Sequence, residues 1–160
     1  MKLSVIQGSA AGWQALSGLK KNPKLAYRLL KYEKKVEHEL KLIEKHRESL
    51  VYKHAGMEPP APGEIKPVSI PAKITETYAN DEDPPVTLTR EVTNPALIAY
   101  QKEFDEFLDT ESDLEWIGIT MDELIDGLAE REGNVLAEMD IDMIEPFFTE
   151  PKKTELTVVK

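Results

Sequence analysis

Three histidines, one acidic triplet, a second acidic pair and a row of lysines are the residues whose type and spacing could do chemistry. His38, His46 and His54 are the only histidines, each eight residues from the next. At 3.6 residues per turn, eight residues rotate by about 80° around a helix axis. The three rings therefore drift around the helix, whereas ligands four apart would face one ion. They read as surface or helix-end histidines. Asp81, Glu82 and Asp83 offer oxygens of the kind calcium takes. They lack the spaced ligands and the glycine of a calcium loop, and read as a solvated turn. Asp140 and Asp142 alternate with apolar residues and fit an amphipathic edge better than a metal site. There are no cysteines, so thiolate metal sites, disulfides and cysteine nucleophiles are excluded. No glycine-rich phosphate loop and no nucleophile elbow occurs. The reading is a non-enzyme with no catalytic residue, no metal site and no cofactor.

What remains is chemistry of recognition. Lys24, Arg28, Lys31 and Lys35 stand on one stretch of chain, with Lys20, Lys21 and Lys34 beside them. Interleaved glutamates make a solvated helix face the plainer reading, with helix pairs such as Glu37–Lys41 and Glu44–Lys41. The stretch nearer the N-terminus, poorer in acid, is the candidate docking patch. Trp13, Trp116, Phe147 and Phe148 are the large apolar side chains outside the two main helices. Core packing is the default for each. Trp13 and the Phe147-Phe148 pair are also candidate anchors for a partner's pocket.

These residues sit in a chain of uneven charge. The net charge is −10. Between residues 20 and 54 there are eleven Lys/Arg against five Glu, and after residue 54 eight Lys/Arg against twenty-five Asp/Glu. Such a chain can present faces of opposite sign. The overall acidity argues against direct nucleic-acid binding. No apolar run approaches the length of a membrane span, and the N-terminus does not read as a signal peptide. A soluble protein with no membrane contact is expected. At 160 residues, a single domain over 1–160 is expected.

The elements that must position the residues follow from punctuation and periodicity. Residues 1–7 read as a short strand or extended arm, and Ser9 as the cap of a brief helix over 10–19. Asn22-Pro23 is a helix start, because Asn caps free backbone donors and Pro presets the first helical residue. Leu29, Tyr32, Val36, Leu40, Ile43 and Leu50 then form a stripe at helical spacing, and Gly56 stops the run. This predicts a helix over 23–54. A helix that long cannot bury its stripe alone. Residues 57–63 are a proline-rich break. Residues 64–79 and 86–92 alternate and read as an inserted extended segment or β-hairpin. Asn94-Pro95 repeats the start signal for a helix over 95–109, the natural antiparallel partner of the first. Residues 114–119 read as a short strand. Thr120 with Glu123 is a capping box, Gly133-Asn134 is a break, and 139–148 is a further short helix. The tail 149–160 carries a candidate strand, TELTVV. The expected fold class is α+β, mainly α: a long antiparallel helical hairpin, an inserted extended or β-hairpin segment over 64–93, and a small C-terminal α/β piece over 113–148.

The order of three segments carries a resemblance. They are KLAYRLLKYEKKVEHELKLIEKHRESLVYKHAG, then NPALIAYQKEFDEFLDTESDLEW, then MDIDMIEPFF. Over about 6–56 and 94–148 the chain resembles tailed-bacteriophage proteins grouped as domain of unknown function 1617. Those proteins pair a long helix ending in glycine with a second helix that runs into a step corresponding here to Leu108, Asp109, Thr110 and Glu111. The insertion over 57–92 departs from that pattern. The family offers no catalytic residues to carry over. The resemblance implies a phage structural or assembly protein, virion-associated in the tail or head–tail region. Its partners would be other phage proteins or a second copy of itself, in the virion or the host cytoplasm. The alternative is an acidic phage inhibitor that binds a basic groove of a host nucleic-acid enzyme.

Overall fold

The structure, a computed structural model, describes residues 1–61, 64, 67–79, 87–128 and 136–148. The fold is α+β and mainly α: helices α1 (Leu3–Gly8), α2 (Ala10–Gly18), α3 (Pro23–His54), α4 (Pro95–Leu108), α5 (Met121–Gly127) and α6 (Glu138–Phe148), with strands β1 (Lys73–Ala79) and β2 (Thr87–Thr93). The contacts fall into two compact units, a finer division than the single domain the length suggests. The first holds residues 1–42 with 110–160, the second residues 43–109.

Helix α3 starts and stops where its sequence signals say. The Asn22 side chain accepts from the Leu25 amide at 2.9 Å, satisfying one of the free donors of the first turn. At the other end Gly56 takes a φ of +67°, which only glycine adopts cheaply. Its amide and that of Met57 donate back to Lys53 and Tyr52, closing a Schellman motif. Along the helix Leu25, Leu29, Tyr32, Val36, Ile43 and Leu50 are buried, so the apolar stripe is spent on packing.

In the first unit the core gathers around α2, α6 and residues 23–42 of α3. Ile6, Leu16, Leu29, Val36, Ile119, Leu124, Ile144 and Phe147 are fully buried there. Helices α2 and α6 approach so closely that a β-carbon on Gly12 would lie 2.7 Å from Ile144 Cγ2. The Thr120 hydroxyl and Glu123 carboxylate complete the capping box at the start of α5. Residues 1–7 are neither a strand nor a free arm: only Lys2 makes an antiparallel bridge, to Glu111, partners on 110–112 tie Met1 and Leu3 down, and α1 follows. Ser9 caps nothing with its side chain; its hydroxyl donates to the Ile6 carbonyl at 2.7 Å instead. Residues 114–119 form no strand. Their backbone groups are taken by other partners: the Ile117 amide donates to the Phe147 carbonyl, and side chains bond the carbonyls of Glu115 and Gly118.

In the second unit β1 and β2 form an antiparallel hairpin, with Ile74 opposite Val92 and Tyr78 opposite Leu88. The β-branched alternation of this insertion made it legible. Asn94 joins hairpin to helix, accepting from the Ala96 amide and donating to the Pro71 carbonyl. Helix α4 runs antiparallel to residues 43–54 of α3. His46 stacks on Phe107 with ring centroids 3.9 Å apart, and Lys53 and His54 both reach Glu103. The expected pairing of two apolar faces is therefore present only in part. No residue of α4 is fully buried, and Ile98 is 56% exposed. The Glu37–Lys41 and Glu44–Lys41 pairs do not form among the described residues; Glu44 binds Arg47 instead, at 2.5 and 2.8 Å. The acidic turn at 81–83, the break at 133–134 and the tail 149–160 lie outside the described residues.

Candidate interaction groove

The three aromatic candidates go to the core. Trp13 is buried against Tyr32, Phe147 and Phe148, with ring centroids 5.4–5.9 Å apart. Edge-on and stacked arrangements of this kind add to the burial of the rings. Phe147 and Phe148 are buried with it, so neither they nor Trp13 is offered to a partner. The reason is α6: its last turn faces α2, and sequence position near a chain end says nothing about depth. The Trp13 indole N–H is buried with no hydrogen-bond partner among the described residues.

The cationic candidates stay at the surface. Lys24, Lys31 and Lys35 are exposed and Arg28 is half-buried. Arg28 donates to the Gly118 carbonyl at 2.6 Å, which fixes the distance between α3 and the segment 113–118. The Tyr32 hydroxyl donates to the Glu115 carbonyl and makes a second tie. Burial, with the Glu115 charge as a lesser cause, pushes the Tyr32 phenol well above its usual range. It is a fixed donor, not an acid.

Between these two walls lies a cavity of about 490 Å³. From α3 it is lined by Tyr27, Arg28, Lys31, Tyr32 and Lys35. Asp113, Glu115, Trp116 and Ile117 form the opposite wall. A second cavity of about 490 Å³ shares Lys35 and Asp113 with it and continues along α3 past Lys34 and His38 to Glu39. The two make one groove. Of the sequence candidates it brings together Arg28, Lys31 and Lys35, while Lys24 lines neither cavity. The wall at 113–117 escapes a sequence reading because it lies about 80 residues along the chain from α3. The exposed pair Asp113 and Glu115 flanking buried Leu114 was the available signal.

The three histidines of the chain stand apart from this groove's cations or at its end. His38 is exposed, His46 lies on Phe107, and His54 bonds Glu103 at 2.9 Å. Among the described residues no three His, Asp or Glu side chains come together as a metal site. No helix of the described residues is long and apolar enough to cross a membrane. A cation-lined, aromatic-walled groove can bind and orient an anionic or mixed-charge ligand, and it holds no nucleophile–base pair. No family model, no curated protein and no solved structure matches the chain.

Proposed function

We propose that this chain is a non-enzymatic structural or assembly protein of a tailed phage that works through protein–protein contacts. The phage setting comes from the resemblance of the long helix, the second helix and the MDIDMIEPFF segment. The docking role comes from the β1–β2 hairpin, and this is the observation that carries the reading. A two-stranded hairpin is marginal in water unless something covers a face. Here no strand residue is buried. Ile74, Tyr78, Leu88 and Val92 share one face of the sheet with the Glu76–Arg90 pair, Arg90 lies 5.3 Å from the Tyr78 ring, and Tyr78 and Leu88 are still 43% and 39% exposed. Each strand also keeps an edge that pairs with no other described strand. Open edges and a half-exposed face, in which the Glu76–Arg90 ion pair sits between the apolar residues, suit strand addition or clamping onto a neighbouring subunit.

The test is mass spectrometry of purified particles, together with light scattering of the isolated protein. The expected result is a constant copy number in particles. The double variant Y78K/L88K should lower that copy number at least tenfold while the circular dichroism spectrum stays unchanged. A protein absent from particles and strictly monomeric overturns the reading.

A further inference from the structure

We propose that the groove between α3 and residues 113–117 binds an extended acidic peptide segment of a partner protein. This deepens the docking role above and rests on it. The first observation is a row of lysines without ion pairs. Lys31, Lys34 and Lys35 line the groove, yet none of them makes an ion pair with a described residue. The chain carries thirty acids against twenty Lys/Arg, so unpaired lysines side by side are not a consequence of composition. Arg28, Lys31, Lys34 and Lys35 outnumber the groove's carboxylates Glu39, Asp113 and Glu115, and unpaired cations side by side attract an anionic ligand.

The second observation is shape. From Tyr27 to Glu39 the groove follows α3 for about 18 Å, at about 1.5 Å per residue. That is the length of five or six residues of extended chain at about 3.3 Å each. Lys31 and Lys35 are one turn apart, about 6 Å along the axis, close to the roughly 6.6 Å between alternate side chains of a strand. Carboxylates on every second residue of a bound segment would meet them in turn.

The third observation is the far wall. Asp113 and Glu115 repel a uniformly anionic ligand such as a polynucleotide, and Trp116 and Ile117 present apolar surface. The ligand that satisfies both walls turns acids toward α3 and small polar or apolar side chains toward residues 113–117. The overall acidity of the chain adds to the bias against nucleic acid.

The probe is a fluorescein-labelled peptide in which glutamate alternates with serine around one central leucine, titrated into the full chain. Fluorescence of the two tryptophans, of which Trp116 lines the groove, provides a second readout. The peptide should bind at low salt and weaken several-fold between about 50 and about 300 mM salt, where screening shortens from about 14 to about 6 Å. The variant K31E/K35E, at two exposed positions, should bind at least tenfold more weakly with an unchanged melting temperature. The variant D113N/E115Q should bind several-fold more tightly, which no purely structural role for these acids predicts. Equal binding of the same peptide with lysine in place of glutamate overturns the proposal. So does indifference to K31E/K35E, or tighter binding of ADP or single-stranded oligothymidylate. Peptide binding that persists in a protein absent from particles supports the groove and sinks the phage assembly role alone. Particle association without peptide binding sinks the groove alone.

Discussion

Gly12 and Asp140 meet backbone to backbone: a β-carbon on Gly12 would stand 2.8 Å from the Asp140 carbonyl oxygen. That approach is what lets α2 and α6 bring Trp13, Phe147 and Phe148 into one cluster. A side chain at residue 12 would meet a helix backbone, which cannot rotate away. The substitution Gly12→Ala should therefore destabilise the first unit by about 1–3 kcal/mol, the usual range for overpacking a close contact. Helix propensity alone would favour alanine by about 1 kcal/mol, so a fall in melting temperature isolates the steric term. Gly127→Ala makes a useful contrast. There the nearest atom is Leu25 Cδ2, the end of a flexible side chain. It should cost less.

Long-range closure explains which parts of this molecule can be read from its sequence. Helix α3 was legible because start signal, apolar stripe and stop signal all lie within one stretch. The hairpin was legible because alternation of β-branched residues is local too. The segment 114–119 also alternates, but a strand needs a neighbour. The neighbours here are the Tyr32 and Arg28 side chains and the end of α6, which alternation does not report. The same limit applies to the groove. Arg28, Lys31 and Lys35 could be singled out on their helix, whereas Trp116 became a wall only when residues 113–117 folded across α3. The depth of Phe147 and Phe148 depends on α6 packing on α2, again a contact between distant parts of the chain.

The Tyr32 hydroxyl has two measurable consequences. It is buried and bonded to the Glu115 carbonyl, so Tyr32→Phe should cost about 1 kcal/mol near neutral pH. Its phenol is held above the ordinary value of about 10, which means the folded state binds that proton more tightly than the unfolded chain. The associated stability is complete below about pH 10 and is lost as pH climbs above it. Urea unfolding between pH 7 and pH 11 should show the parent protein losing stability more steeply than Tyr32→Phe. Parallel curves would show that the hydroxyl is not shielded.

In the second unit, Glu103 gathers two partners from the end of α3. The Lys53 ammonium lies at 2.6 Å and the His54 ring at 2.9 Å. Hydrogen bonding to Lys53 first, and to His54 next, holds the Glu103 carboxyl below its usual range. A lowered carboxyl pKa stabilises the fold above the ordinary value of about 4.3, and that contribution disappears as pH falls through the folded value. A carboxyl-carbon NMR titration should place Glu103 below free glutamate, and Lys53→Ala should move it back upward. The contact is solvent-exposed, so Glu103→Gln should alter the acid limb of the stability curve and little else.

Lys21 and Glu33 pose the opposite case, a charge pair taken out of water. Their side chains are only 8% and 14% exposed, with 3.9 Å between ammonium and carboxylate, and Glu33 Oε1 has no hydrogen-bond partner among the described residues. Burial lowers the Lys21 pKa, and the attraction of Glu33 offsets only part of that. Charging Lys21 is thus harder in the folded state than in the unfolded chain. Its cost is present at neutral pH and is relieved as pH rises toward the ordinary lysine value of about 10.4. Removing one partner strands the other, so Lys21→Met and Glu33→Leu should each destabilise, by up to about 3 kcal/mol. Removing both exchanges an imperfect ion pair for apolar packing, and K21M/E33L should be as stable as the parent protein or more so. The double-mutant cycle should return a coupling of about 1–3 kcal/mol at pH 7. That coupling should shrink as pH rises toward the ordinary lysine value, because Lys21 then loses the charge that Glu33 holds.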